Sequence, residues 1–262
     1  MRTFLRKLLF LCFIIGAWDV HSQTLTLATD DTPGDPFIIG GGSTFDETKP
    51  GIEIEMYRAI ASKLGMTLEL KRLPWNRALL MLEQGQVDGL FPASFKLERT
   101  LIGHYPMQHA IVDISRRSRT NGYHLYKLAD STLDWDGSTF LNLNEQNLAA
   151  HQGWSIVDDL QKMGVNVVEI PAHAKAPELL LNKRVGGFVA LETVFDAYIK
   201  KHPEALKEIV KVFPPVREKN YYLLFSKQFY EKQTETAERF WDEIKAFQQS
   251  EAFSALVENY ID

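Results

Sequence analysis

IEIEMYRAIASKLGMTLELKRLPWNRALLMLEQGQVDGLFPASFKLER, residues 52–99, decides the fold. Met56, Ile60 and Leu64 recur at helical spacing and Gly65 closes the run, which predicts a helix and its C-terminal stop. Residues 66–73 read as a strand and 76–84 as a second helix, with Leu79, Leu80 and Leu82 apolar and Gly85 as its stop. Val87-Asp88-Gly89-Leu90-Phe91 reads as a buried strand. The polar loop Pro92-Ala93-Ser94-Phe95-Lys96-Leu97-Glu98-Arg99 follows it. A hydroxyl and a guanidinium just past a strand end, at the carboxyl edge of a sheet, form a small-anion site.

The same grammar extends in both directions. Upstream, residues 25–29 alternate as a strand and Asp30-Asp31-Thr32-Pro33-Gly34-Asp35-Pro36 is a turn. Downstream the order returns: strand 148–152, a helix at 155–163 stopped by Gly164, strand 165–170, helix 177–182, strand 185–191. Leu79-Leu80 to Val87-Asp88-Gly89-Leu90 is echoed by Leu179-Leu180 to Val185-Gly186-Gly187-Phe188. Together with the repeated order of elements, the echo favours two α/β lobes with a cleft between them. Residues 221–226 predict a strand, and 236–249 a helix with Phe240, Trp241, Ile244 and Phe247 on one face, packed back on the first lobe. With 45% hydrophobic residues in 262, the chain has apolar surface for a full core or for two small lobes.

The chain opens with Arg2, Arg6 and Lys7, runs apolar from Leu8 to Trp18, and carries Val20-His21-Ser22 before Gln23. This predicts a secretory signal peptide at residues 1–22, because the run is shorter than the ~20 residues of a membrane span and is closed by Asp19 and His21. Cys12 lies inside it, so the remainder has no thiol nucleophile, disulfide or cysteine-based metal site. The net charge is −5. Removing the leader makes the chain more acidic, which argues against a nucleic-acid partner. His104 and His109 read as loop and surface, Gly40-Gly41-Gly42-Ser43 opens no helix, and no Gly-x-Ser-x-Gly elbow is present. No cofactor or metal is expected. Ser115-Arg116-Arg117-Ser118-Arg119 reads as a solvated basic cluster near a hinge.

Several of these features, in this order, carry a family resemblance. They are the leader, the strand and Asp-rich turn before Pro36-Phe37, and Gly51 ahead of the first helix. Trp75, Gly85-Gln86-Val87-Asp88-Gly89, and Ser94 with Arg99 five positions on come next; Gln152-Gly153-Trp154-Ser155, Glu192 and the strand at 221–226 complete the set. The chain resembles the extracytoplasmic solute-binding proteins of ABC importers, in the family that binds polar amino acids (family 3). The resemblance implies a type II periplasmic-binding-protein fold of two lobes, each a mostly parallel sheet flanked by helices, with the ligand in the cleft. It divides the chain into lobe 1 at 23–110, lobe 2 at 111–212, and a return to lobe 1 with a C-terminal helix at 213–262.

The resemblance also implies roles. Arg99 would grip a ligand carboxylate and Ser94 would help hold an ammonium; the alternative for Arg99 is a surface ion pair with Glu98. Glu192 stands where the family has an aspartate for the ammonium, or else merely opens the helix at 193–200. Phe37 and Trp75 match positions where rings pack on the ligand, or belong to the core. Ser155 with Asp158 has capping-box form, and Gly153-Trp154-Ser155 offers backbone N–H groups to the same carboxylate. Asp30 is a further candidate, or caps its own turn. Gly187 replaces the usual aspartate of the second-lobe strand, and the loop carrying His104-Tyr105-Pro106 is shorter than usual.

The expected protein is thus a monomeric periplasmic receptor, not an enzyme, that closes on an amino acid or related carboxylate and presents it to an ABC permease or a membrane sensor. The alternatives are a cleft enzyme resembling cyclohexadienyl dehydratase, with Glu192 as its acid–base group, and a soluble sensory subunit.

Overall fold

The computed structural model describes residues 23–204 and 206–261. The expected leader, residues 1–22, lies outside the described residues. The first lobe rests on three parallel strands, β1 (Thr24–Asp30), β2 (Thr67–Leu73) and β3 (Gly89–Ser94), lying in the order β3-β1-β2. Helices α1 (Ile52–Lys63) and α2 (Trp75–Glu83) make the crossovers. Helix α1 buries Ile52, Ile54, Met56, Tyr57 and Ile60. It starts at Gly51, whose φ is 118° and where a Cβ would stand 2.3 Å from the Phe37 carbonyl oxygen, so only glycine fits.

The chain then crosses on a long strand, β4 (Arg119–Leu128), and builds the same unit again. Strand β5 (Leu148–His151), helix α3 (Ser155–Lys162), strand β6 (Val167–Ile170), helix α4 (Ala176–Leu181) and strand β7 (Gly187–Leu191) follow in turn. The order β7-β5-β6 copies that of the first lobe. The echo between the two Leu-Leu helices and their Gly-containing strands is therefore structural. Helix α5 (Glu192–Lys201) and the short strand β8 (Ile209–Lys211) complete this lobe.

Strand β9 (Arg217–Ser226) carries the chain back. Its first half pairs antiparallel with β4 and its second half with β3, while β4 pairs onward with β7. Among the described residues this makes one ten-stranded sheet, β6-β5-β7-β4-β9-β3-β1-β2 along its main path, running unbroken through both lobes. Strand β3 begins at Gly89 and ends at Ser94, two to three residues later than its Val-Asp-Gly pattern predicts.

Helices α6 (Lys227–Lys232), α7 (Thr234–Gln248) and α8 (Glu251–Ile261) end the fold. Helix α7 packs on α1 as expected, sinking Ala237, Phe240, Trp241 and Ile244 against Tyr57 and Phe91. Trp241 is fully buried and donates its indole N–H to the Leu223 carbonyl at 2.8 Å. The helix expected at 236–249 is α7, and α8 follows it after a break at Gln249 and Ser250. No helix among the described residues is long and apolar enough to cross a membrane.

Candidate functional site

The carboxyl ends of β1, β3 and β7 and the start of α3 meet around a single cleft, where a strand order that reverses leaves room for a ligand. The cavity there encloses about 470 Å³, part of it continuous with solvent. Asp30, Trp75, Ser94 and Arg99 line it from the first lobe, Trp154, Ser155, Leu191 and Val194 from the second, and Arg119, Tyr123 and Tyr221 from the two crossing strands.

Arg99 lies in a 3₁₀ turn, Leu97–Leu101, directly after β3, and is 6% exposed. Its Nη1 donates to the Ser94 carbonyl at 2.9 Å and to the Ser94 hydroxyl at 3.2 Å, and Nη2 reaches the Gly153 carbonyl at 3.4 Å. The guanidinium stacks over Trp75 at 5.1 Å. It is thus held by neutral acceptors and a ring, not by Glu98. Tyr105 donates its hydroxyl to the same Ser94 carbonyl at 2.7 Å, and burial pushes that phenol up to about 12.

Cross-cleft bonds show the lobes closed on each other. Ser94 donates its hydroxyl to the Ser155 hydroxyl at 2.8 Å, and Trp154 donates its indole N–H to Asp30 Oδ2 at 3.2 Å. Lys96 of the first lobe pairs with Asp158 of the second, and Lys201 with Asp35 at 3.3 Å. Asp30 also accepts the Thr32 backbone N–H at 2.8 Å, the self-capping expected of a turn aspartate, while facing the cavity. Burial raises the pKa of its carboxyl above the usual 3.8, against the opposing pull of the Thr32 bond and of His151.

Three expected residues stand elsewhere or act differently. Ser155 is the first helical residue of α3, not its cap; Trp154 holds the cap position without a side-chain bond, and Asp158 turns to Lys96. Phe37 lies behind the cavity wall, stacked on the Arg119 guanidinium at 4.6 Å. Glu192 opens α5, but its side chain is 42% exposed and tied to Lys211 at 2.7 Å, with His124 at 3.8 Å, outside the cavity lining.

Arg119 is the residue that sequence reading assigned to solvent. Within that cluster only Ser115 is exposed: Arg116 is half-buried and pairs with Glu238 at 2.6 Å and Asp242 at 2.7 Å, and Arg117 sits half-buried beside Thr120. Arg119, 7% exposed, lines the cavity. The structure shows why it was missed: Arg119, Asn121 and Tyr123 fall on one buried side of β4, but the residues between them are polar too, so no apolar alternation marks the strand. His104 stacks on Tyr230 at 4.2 Å, and no group of three or more metal-ligating side chains occurs among the described residues.

The family model for bacterial extracellular solute-binding proteins, family 3, matches residues 42–262. No curated protein matches the sequence. Among solved structures, a histidine kinase sensor domain with similarity to periplasmic binding proteins superposes with a TM-score of 0.73 at 18% identity, covering 92% of this chain and 96% of that one. The arginine-, lysine-, histidine-binding protein ArtJ of Geobacillus stearothermophilus gives 0.71 at 16% identity, over 91% and 95%. The GluR0 ligand-binding core of Nostoc punctiforme in complex with L-glutamate gives 0.67 at 17%, over 91% and 99%. At these identities the likeness is one of fold: each is a two-lobed binding module.

Proposed function

The chain belongs to the bacterial extracellular solute-binding proteins of family 3, and from that premise we propose that it is a periplasmic receptor whose cleft closes on a small carboxylate-bearing solute, an amino acid or a related acid. The observation that carries the reading is Arg99. It is a buried guanidinium at a strand end, braced by Ser94 and Trp75 and bridged to Gly153 of the opposing lobe. A carboxylate bound there touches the closing machinery, so binding and closure are one event. Residues 1–22 would direct export, and the closed form would be presented to a membrane partner, an ABC permease or a sensor. Glu192, the acid–base candidate of the dehydratase reading, pairs with Lys211 at 2.7 Å and is not among the cavity-lining residues, which favours the receptor.

A thermal-shift screen of amino acids and small carboxylates tests this. A true ligand at a hundredfold excess over its Kd adds about 2.7 kcal/mol to stability. Arg99→Ala should lose ~2–5 kcal/mol of that binding while the ligand-free midpoint barely moves. Arg99→Lys should also weaken it, lacking the planar fork. Stabilisation by uncharged solutes alone, unaffected in Arg99→Ala, would sink the proposal.

A further inference from the structure

The cavity lining includes buried donors that Arg99 and its partners leave unused, and a second guanidinium, Arg119, is among them. Nε and Nη1 of Arg119 and the indole N–H of Trp75 are buried without a hydrogen-bond partner, and the hydroxyl of Tyr221 has only the neighbouring Tyr123 hydroxyl beside it. Arg119, Trp75 and Tyr221 all line the cavity. Arg119 is fixed in place by Phe37 at 4.6 Å and Tyr221 at 5.6 Å. Glu53 Oε2, itself buried without a hydrogen bond, faces Nη1 at 3.7 Å, so the charge is balanced in part while Nε has no acceptor. Buried donors left unsatisfied are costly, and several converging on one space are a recognition surface for oxygen. On the acceptor side, Asp30 already receives two N–H bonds, from Thr32 and Trp154.

We propose that Arg119 is a second ligand clamp, and that the solute is a small acid with an oxygen acceptor at its far end, a carboxylate being the best acceptor. The inference rests on Arg99 holding the first carboxylate. A cationic far end, as in lysine, would face a guanidinium. An aliphatic end would leave the Arg119 and Trp75 donors dry and unpaired. Sites built to bond a polar group reject the analogue that lacks it far more strongly than they reject a change of size. An amide end satisfies the donors without the added strength of a charged acceptor.

The test is calorimetric titration of the whole protein with succinate, glutarate, L-glutamate, L-glutamine, L-norvaline and L-lysine. The expected order places at least one diacid first, L-glutamine weaker than L-glutamate, and L-norvaline and L-lysine at least a hundredfold weaker than L-glutamate. Arg119→Gln should shrink the glutamate-to-norvaline ratio at least tenfold, with the fold checked by circular dichroism; should that variant not fold, the wild-type ratios decide alone. Norvaline or lysine binding as tightly as the diacids, or an unchanged ratio in folded Arg119→Gln, overturns the inference and leaves the Arg99 reading standing. Binding by no acid of the set overturns both.

Discussion

Asp30 is the only carboxyl that lines the cavity among the described residues, and burial raises its pKa above 3.8. The folded state therefore holds that proton at pH values where the unfolded chain has released it. Stability from this group is complete below the unfolded value and is lost as pH rises through the folded one, each tenfold gain in proton affinity being worth about 1.4 kcal/mol. Asp30→Asn forfeits one of two accepted N–H bonds, a pH-independent loss of about 1 kcal/mol, and removes the titration. The midpoint of the variant minus that of the ligand-free wild type should climb as pH is raised from about 4. Parallel curves would show that the group titrates as it does in the unfolded chain. Arg99 and Arg119 show what was legible at this level. Arg99 could be read because it follows a strand end in a short loop; Arg119 was hidden in a polar run with two other arginines, and its burial depends on a strand that the sequence does not announce.

Helix α3 meets the first lobe through the turn that precedes it. Gly153 has φ 75°, and a Cβ there would stand 2.1 Å from Asn76 Oδ1 on α2. An alanine would thus carry a left-handed backbone cost of roughly 1–2 kcal/mol and would also press on a side chain of the other lobe. Gly153→Ala should weaken ligand binding about tenfold, near 1.4 kcal/mol, by opposing closure. Asn76→Ala in the same chain should recover part of that loss, since the clash is pairwise; strictly additive effects would place the whole cost in the backbone. The helices and parallel strands were readable from spacing and glycine stops. Strand β4 was not: Arg119 to Gly122 is polar, and from Tyr123 to Tyr126 both faces are buried, so neither alternation nor a bounded apolar run marks it. Only the later half of β9 was seen for the same reason, its start being Arg217-Glu218-Lys219-Asn220.

Across the whole molecule, five of the described contacts join the lobes: Ser94 to Ser155, Asp30 to Trp154, Arg99 to Gly153, Lys96 to Asp158 and Lys201 to Asp35. The first two are buried and the last two lie at the rim, where a pair is worth ~0–1 kcal/mol and is screened by salt. Cognate ligand should reduce the radius of gyration in small-angle scattering and change the fluorescence of Trp75 and Trp154, which stand on opposite lobes. Lys96→Ala should cost at most about 1 kcal/mol of affinity, with the difference fading at high salt. A tight ligand without compaction would mean that the free protein already occupies the closed arrangement. Two lobes were legible because the same run of elements occurs twice; the continuous sheet was not, because it depends on which distant strands pair.

That continuous sheet imposes an order on the birth of the protein. Strand β3 finds its outer neighbour only in β9, and α1 its cover in α7 and α8, more than a hundred residues further along the chain. A growing polypeptide that has emerged as far as residue 200 holds β1, β2 and β3 but lacks Phe225, Phe240 and Trp241 to seal them. Such long-range closure is slow and cannot begin early. The first half must therefore wait, unsealed and threadable, until the last sixty residues arrive, a state suited to passage through a narrow pore before folding and one in which its apolar strands need guarding.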